Sequence, residues 1–247
     1  MSTIEGRNAV IEALRAEMPL RRILVADGLK PDRAIDEIVR RAREAGVAVA
    51  RVSRKEIDAK SERGAHQGVL AEARPFEFAT VEAVLARAAE KDRALVIALD
   101  HVTDPGNLGA VVRTAEVVGA DGVLVAKRRS AAVTAAAYKT SAGALAHIPL
   151  AQEPNLVRAL ERCKEAGFWV AGASEHAEQD VWSAPIEGRL VVVMGSEGEG
   201  LARLTREACD FLVRLPQAGK IGSLNVAQAA TAIAYEWLRR GQAQAGA

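Results

Sequence analysis

A loop of glycines and carboxylates follows a hydrophobic run in the C-terminal part of the sequence. The apolar residues of VVVMGSEGEGL end at Gly195, and Glu197 and Glu199 lie among the glycines that follow. Glycine lets backbone N–H groups approach a bound group closely, which is typical of a nucleotide site. Two carboxylates would repel a phosphate, so the loop suits a ligand that is cationic near them. The structural alternative is a strand-to-helix turn whose glutamates favour the N-terminus of a helix at 201–208.

An arginine lies off the apolar face of the helix predicted for NLGAVVRTAEVVGA. At about 100° per residue, Arg113 is about 140° around the helix from Leu108, so it faces solvent, a cleft or a partner. An ion pair with Glu116 is the structural alternative. Asn107, which follows the turn Asp104-Pro105-Gly106, is a plausible N-cap. The apolar stripe of this helix consists of Leu108, Val111, Val112, Ala115 and Val118.

A polar, glycine-containing segment precedes the last predicted helix, in LPQAGKIGSLNVAQA. Ser223 is expected to be the N-cap of that helix. Asn225 falls in its first turn, where its side chain serves either the helix or a ligand. The helix itself is rich in alanine, which permits close packing against the core or against a second subunit.

Alternating strands and helices must position these three segments. Strands are predicted at 21–27, 47–52 and 66–73, and helices at 6–17 and 31–46. From residue 94 onward, apolar strands alternate with helical patterns, which predicts an α/β fold with a parallel sheet. We therefore expect a first domain at 1–74, a linker with its own short helix at 75–93, and a second domain at 94–247.

The composition sets limits on the class of protein. The 247 residues are 49% hydrophobic and 26% charged, which indicates a globular chain, and a net charge of +1 provides no overall basic field for nucleic acid. Two distant cysteines and four histidines show no disulfide or metal-binding spacing, so no metal is predicted. Without a signal-like segment or a long apolar run, we expect a cytoplasmic protein with no membrane partner.

The three segments, in this order, resemble the signature motifs of the SpoU/TrmH methyltransferases of the SPOUT superfamily. The matches are NLGAVVRTA (107–115), VVMGSEGEGL (192–201) and LPQAGKIGSLNVAQA (215–229). In the first domain, IEGRNAVIEAL (4–14) and HQGVL (66–70) are similar to the N-terminal RNA-binding module of the RlmB-type members. The resemblance implies a smaller N-terminal α/β domain like ribosomal protein L30e and a C-terminal α/β domain tied in a trefoil knot, which chain-connection rules do not predict.

The resemblance also supplies a cofactor and an assembly. Family members bind S-adenosylmethionine in the knot loops, largely through backbone groups. By position, Gly195, Leu215 and Leu224 would line that pocket. The ligand would be a sulfonium without a phosphate, so carboxylates nearby are acceptable. Family members are homodimers whose site is completed across the subunit interface, which fits the off-stripe Arg113.

The implied reaction is methyl transfer to a ribose 2′-hydroxyl of RNA. By position, Arg113 is the central catalytic residue, surrounded by Asn107, Glu197, Ser223 and Asn225. A guanidinium with a pKa above about 12 does not normally give up its proton. Arg113 is therefore expected to bind the target phosphate and stabilise the developing alkoxide while another group accepts the proton.

The RlmB-type similarity implies that the substrate is a guanosine in 23S rRNA. The enzyme would bind it in free rRNA or in a large-subunit assembly intermediate. The alternatives are a tRNA guanosine, an rRNA adenosine of the antibiotic-resistance type, or a non-catalytic RNA-binding protein. Such a binding protein could lose Arg113 or Asn225, and both are present. A dinucleotide-binding dehydrogenase is disfavoured because ALVIALDHVTDPGNLG lacks the GxGxxG fingerprint.

One residue and one pair of residues depart from the family pattern, and the net charge is low for an RNA enzyme. Asn8 replaces a common histidine, and Ala227-Gln228 replaces a serine-containing pair. RNA affinity must then come from local basic clusters. The candidates are Arg40/Arg41/Arg43, Arg51/Arg54/Lys55 and Lys127/Arg128/Arg129.

Overall fold

A computed structural model describes residues 2–30, 32–61, 64–220 and 222–245. The chain forms two compact units, one of Met1–Glu77 with Thr134–Lys139 and one of Phe78–Val133 with Thr140–Ala247. The strands are β1 (Ser2–Glu5), β2 (Leu20–Ala26), β3 (Ala48–Val52), β4 (Val69–Ala73), β5 (Ala94–Leu99), β6 (Gly122–Ala126), β7 (Leu150–Glu153), β8 (Trp169–Ala173), β9 (Arg189–Met194) and β10 (Phe211–Val213). The helices are α1 (Arg7–Arg15), α2 (Arg33–Glu44), α3 (Arg54–Lys60), α4 (Val81–Ala88), α5 (Pro105–Val117), α6 (Ala135–Ser141), α7 (Leu156–Glu165), α8 (Arg203–Glu207) and α9 (Val226–Ala245), with a 3-10 turn at Ala144–Ala146.

The first unit is built on a mixed four-stranded sheet in the order β1-β4-β2-β3. Strands β2 and β3 are parallel, whereas β4 runs antiparallel to both β1 and β2. The sequence did not indicate β1 or α3, because STIE has no strand-length alternation and RKEIDAK contains a single large apolar residue. The third strand begins at Val69 instead of residue 66, since Gln67 and Gly68, both with positive φ, form the turn that leads into it.

Local capping sets the limits of the second helix. Asp32 is the N-cap of α2, because its carboxylate accepts a hydrogen bond from the Ala34 amide at 2.8 Å. The predicted helix start at Pro31 lies outside the described residues. The helix ends at Glu44, and Gly46 adopts a positive φ of 66°, as its predicted role as a stop signal requires.

A buried carboxylate joins the strands of the first unit. Glu72 on β4 accepts hydrogen bonds from Arg22 at 2.8 and 2.9 Å and from Lys60 at 3.1 Å. These cations, Arg22 foremost, lower the pKa of Glu72 to about 2. Its pKa in an unfolded chain is about 4.3. Because the folded pKa is the lower one, this contribution to stability is present above the unfolded pKa and is lost as the pH falls toward 2.

We expect Glu72→Gln to reduce the acid sensitivity of the fold. Between about pH 5 and pH 2, the free energy of unfolding should fall less steeply in the variant than in the wild-type protein. Urea unfolding at a series of pH values measures this slope. Glu44→Gln is the matched control, since Glu44 forms an exposed i,i+4 pair with Arg40 and should leave the profile unchanged. Equal slopes for wild-type and Glu72→Gln proteins would contradict the assignment.

The second unit has a six-stranded sheet in the order β10-β8-β9-β5-β6-β7. Every neighbouring pair is parallel, which confirms the predicted α/β fold with a parallel sheet. Strand β7, helix α6 and the 3-10 turn were not predicted, because each is short and has no clear periodicity. The predicted helix between the two domains is α4, and its Val84 side chain packs in the core of the second unit.

The topology brings the three motifs to one edge of this sheet. Strands β5, β9 and β10 are parallel and lie within the same sheet, so their carboxyl ends face the same way. Each of these strands leads directly into one motif. In open α/β sheets, ligands bind in crevices outside the carboxyl ends of the strands.

Helix α5 presents its predicted apolar stripe to the core. Leu108, Val111, Val112, Ala115 and Val118 are all buried, as the periodicity indicated. Helix α5 packs against α9, and the hydroxyls of Thr114 and Thr231 lie 2.8 Å apart between them. None of the helices in the described part of the chain combines the length and hydropathy needed to cross a bilayer.

Candidate active site

Side chains from the three motifs meet in one hydrogen-bonded cluster. Asn107 Nδ2 donates to Glu197 Oε1. Asn225 Nδ2 donates to Asn107 Oδ1 at 2.9 Å and to Glu197 Oε1 at 3.2 Å. The fold thus joins a carboxylate and two amides that come from three separate segments of the chain. We refer to Asn107, Glu197 and Asn225 as the amide–carboxylate cluster.

The start of helix α5 leaves the Asn107 side chain available for this cluster. Asp104, not Asn107, is the N-cap, because its Oδ1 accepts the Asn107 amide at 2.7 Å and Pro105 occupies the first helical position. The prediction that Asn107 caps the helix is therefore wrong. Pro105 has no amide to satisfy and Asp104 satisfies that of Asn107, so the Asn107 side chain is not used as a cap and donates to Glu197 instead.

Asn225 serves the helix and the cluster at once. Its Oδ1 accepts hydrogen bonds from the amides of Ala227 at 2.9 Å and Gln228 at 3.3 Å, which makes Asn225 the cap of α9. The predicted cap, Ser223, is wrong, because it lies three residues before the first helical residue, Val226. The cap fixes the amide group so that Nδ2 points to Glu197.

We expect Asn225→Ala to destabilise the protein as well as the cluster. Loss of the cap should lower the free energy of unfolding by about 1 kcal/mol. Ser223→Ala is the matched control and should leave that free energy unchanged, since Ser223 does not cap α9. Chemical denaturation of the two variants measures the difference. Equal losses for the two variants would show that the cap assignment is incorrect.

Arg113 is not brought into the amide–carboxylate cluster. It is exposed on α5, and within the described ranges its guanidinium has no hydrogen bond or ion pair. The alternative ion pair with Glu116 is accordingly not formed in the structure. Arg113 and Val117 are four residues apart and share one face of the helix. Val117 is 57% exposed, so this face is apolar as well as basic.

A cavity of about 490 Å³ opens beside the cluster. The three predicted cofactor-binding residues, Gly195, Leu215 and Leu224, all line it, as do Glu197 and Ser223. This volume lies in the range of small-molecule sites, which are typically about 300–1,000 Å³. The apolar part of the wall comes from Met194, Val213, Val226, Ala229 and Ile233.

Gly195 shapes the wall of this cavity through a close backbone contact. A Cβ atom at this position would collide with the backbone of Gly200 and Leu201. Ser196 and Gly200 exchange backbone hydrogen bonds of 2.9 and 3.0 Å, which close the loop into a narrow turn. The glycine at 195 is therefore required by the close approach of the returning chain.

Asp100 is a structural residue of the site that the sequence reasoning missed. Its carboxylate is buried at the end of β5 and accepts a hydrogen bond from the Ala202 amide at 2.7 Å. The same carboxylate lies 2.7 Å from His101 Nδ1. These contacts hold the residues after the glycine loop against the end of β5. An acidic residue directly after a continuous apolar strand, as in ALVIALD, was the available signal.

The arrangement has the chemistry of an organic-ligand site. Over the described residues, no group of three His, Cys, Asp or Glu side chains is placed to hold a metal ion. The cavity offers backbone groups, an apolar wall and carboxylates, and an amide-rich polar cluster lies at its side.

Family models match both parts of the chain. Residues 94–235 match the SpoU rRNA methylase family. Residues 3–79 match the family described as RNA 2′-O ribose methyltransferase substrate binding. The first match alone covers more than half of the sequence.

Similar proteins and structures agree with these matches. The TrmH-family protein YacO of Bacillus subtilis is 39% identical over 95% of this chain and 94% of its own length. An uncharacterised tRNA/rRNA methyltransferase of Mycolicibacterium vanbaalenii is 42% identical over 95% of this chain and 75% of its own length. The SpoU methyltransferase AviRb of Streptomyces viridochromogenes, solved in complex with S-adenosylmethionine, is 27% identical with a TM-score of 0.63, covering 97% of this chain and 90% of its own. The chain therefore belongs to the SpoU/TrmH family of S-adenosylmethionine-dependent RNA methyltransferases.

Proposed function

We propose that the protein transfers a methyl group from S-adenosylmethionine to a ribose 2′-hydroxyl of RNA, and that the target is a guanosine of 23S rRNA. The observation that carries the chemistry is the amide–carboxylate cluster beside a cavity of cofactor size. The rRNA target rests on the sequence similarity of the first domain to RlmB-type members.

The cavity fits S-adenosylmethionine. Its volume suits a ligand of this size, and the described wall carries acidic residues as well as arginines. Glu197 and Glu199 are compatible with a sulfonium cation, whereas they would repel a phosphate. Gly195, Leu215 and Leu224 would hold the cofactor, whose bound form supplies an electrophilic methyl group.

The chain's own residues position the nucleophile. Glu197 accepts both amide donors on a single oxygen, Oε1, so the orientations of Asn107 and Asn225 are fixed relative to each other. We assign to Asn225 and Asn107 the role of holding the ribose. Ser223 would lie at the rim of the site, where the ribose contacts it. When the ribose is held in this way, the entropy cost of orienting it is met during binding and not in the reaction step. Arg113 binds the phosphate of the target nucleotide and stabilises the developing 2′-oxyanion.

A homodimer would bring Arg113 to a cluster with which it makes no hydrogen bond within its own chain. Val117 and Tyr235, at 57% and 48% exposure, lie on α5 and α9, which pack together. Exposed apolar side chains next to an unpaired arginine are typical of a subunit interface. We propose that the α5–α9 face forms that interface and that each active site takes Arg113 from the partner subunit.

Ion pairs within the chain distinguish one of the three basic clusters from the other two. Arg40 and Arg41 are paired with Glu44 and Glu37 at 2.7 and 2.9 Å, so that cluster is largely neutralised within α2. In the described ranges, the exposed side chains of the other two clusters, Arg51/Arg54/Lys55 and Lys127/Arg128/Arg129, have no such acidic partner. The cluster at 127–129 follows β6 and is the one connected to the active site, because the Ala131 amide donates to the Val102 carbonyl at 2.8 Å, in the connection that leads to Asn107.

We expect the triple variant K127Q/R128Q/R129Q to bind RNA at least about tenfold more weakly than the wild-type protein. The slope of log K against log salt concentration should become shallower by about 2 to 3. Loss of phosphate contacts is the reason, so cofactor binding should not change. Filter binding at several salt concentrations measures this. The matched control is R40Q/R41Q/R43Q, which should bind RNA as the wild-type protein does. A larger effect in the control would assign the contact to α2 instead.

The function itself is tested by transfer of labelled methyl groups to total RNA from a methylation-deficient strain, followed by mapping of the product nucleoside. Label in a 2′-O-methylguanosine of 23S rRNA supports the proposal. Label in tRNA, or in an rRNA adenosine, keeps the chemistry and changes the target. Cofactor binding without transfer to free RNA or to assembly intermediates would indicate an RNA-binding protein.

A further inference from the structure

The wall of the cavity carries charges of both signs. The described lining residues include the acidic Glu175, Glu197 and Glu199 and the basic Arg206 and Arg214. Glu197 is engaged by the amides of Asn107 and Asn225. The other charged residues of the wall therefore determine which charges of a ligand the cavity can match.

Only one of the two arginines on the described wall is available for a ligand. Arg214 Nε donates to Asp180 Oδ1 at 2.6 Å, which neutralises it. The guanidinium of Arg206 is exposed and has no hydrogen bond or ion pair with any residue that the structure describes. Its neighbour on α8, Arg203, is paired with Glu207 at 2.7 Å, so the acidic residue of this helix does not serve Arg206.

The backbone around Arg206 is held in place. The Ala202 amide binds the buried carboxylate of Asp100 at 2.7 Å, and the Arg206 amide binds the Ala202 carbonyl at 2.9 Å. Thr205 is buried beside it. Arg206 therefore lines the cavity from an anchored turn of helix, and among the described residues its side chain has no partner.

S-adenosylmethionine has two cationic groups, the sulfonium and the ammonium, and one anionic group, the carboxylate. We propose that Arg206 binds this carboxylate and thereby fixes which end of the cofactor faces the amide–carboxylate cluster. A guanidinium matches a carboxylate through two parallel hydrogen bonds, which define orientation as well as affinity. This inference rests on the proposed cofactor site and adds to it a residue that determines cofactor recognition.

The test compares two ligands that differ only in this carboxylate. Isothermal titration calorimetry measures the dissociation constants of S-adenosylmethionine and decarboxylated S-adenosylmethionine for wild-type protein and three variants. The wild-type protein should prefer the carboxylate-bearing ligand by about 10- to 100-fold, the range of a charge-assisted hydrogen-bonded pair. Arg206→Gln should lose this preference by weakening binding of S-adenosylmethionine alone. Arg206→Lys should retain part of this preference, because an ammonium keeps the positive charge but lacks the two parallel hydrogen-bond donors of a guanidinium.

Arg203→Gln is the matched control on the same helix and should behave as the wild-type protein. Thermal unfolding of Arg206→Gln should also match wild type, since the side chain is exposed. The proposal is overturned if Arg206→Gln keeps the wild-type preference, if it weakens both ligands equally, or if it weakens only RNA binding. Wild-type protein that binds S-adenosylmethionine without preferring it overturns this inference alone, whereas wild-type protein that binds neither ligand overturns the cofactor site as well.

Discussion

Arg113→Ala is expected to lower the rate of methyl transfer by about 10³-fold, because it removes the charge that stabilises the developing oxyanion. Binding of S-adenosylmethionine should not change, since Arg113 does not line the cavity. The free energy of unfolding should also stay the same, because the side chain is exposed and makes no ion pair within the described ranges. Single-turnover methylation and calorimetry on the same preparation measure rate and binding separately.

Glu116→Gln is the control for that experiment, because Glu116 is an exposed charge three residues along the same helix. It should leave transfer unchanged. If Arg113→Ala retained wild-type turnover, the catalytic role would be excluded. If both variants lost activity equally, the cause would be the general charge of this surface and not the guanidinium.

The source of Arg113 is tested by mixing two inactive variants, Arg113→Ala and Asn225→Ala. If each site takes Arg113 from one subunit and Asn225 from the other, a mixed dimer contains one intact site and one doubly altered site. Random reassembly should then restore roughly a quarter of wild-type activity. If both residues act within one chain, the mixture should remain inactive, which would contradict the proposed interface.

Gly195→Ala is the second change with a large expected effect. The added Cβ would collide with the backbone of Gly200 and Leu201, so the chain itself must shift. We expect the free energy of unfolding to fall by roughly 2–3 kcal/mol. Because the shift moves the wall of the cavity, the dissociation constant for S-adenosylmethionine should rise by at least about 100-fold. Calorimetry and urea unfolding measure the two effects.

Gly198→Ala is a matched control in the same loop, since a Cβ at Gly198 meets no atom within 4 Å. It should bind the cofactor and unfold as the wild-type protein does. Equal weakening by the two variants would mean that the loop needs flexibility in general. Wild-type binding by Gly195→Ala would mean that the close approach of the two backbone segments is not required.

Short elements mark the limit of what periodicity predicted about the fold. The alternation of strands and helices from residue 94 onward predicted a parallel sheet, and all neighbouring strand pairs of the second unit are parallel. Strand β1 and helix α3 escaped prediction, because STIE shows no strand-length alternation and RKEIDAK contains a single large apolar residue. The predicted caps Asn107 and Ser223 were wrong for a related reason, since several polar residues near each helix start compete for the same amides.

By itself, the sequence determined the fold class, the family motifs and the residue types of the site, because these depend on local pattern and order. Only the tertiary structure decided that Asn107, Glu197 and Asn225 share one hydrogen-bonded cluster and that Arg113 lies apart from it. The same holds for the buried carboxylate of Asp100, which reaches an amide about a hundred residues away in the chain. Contacts of this kind depend on the order of β10, β9 and β5 in the sheet, and strand order is not encoded in the periodicity of any one segment.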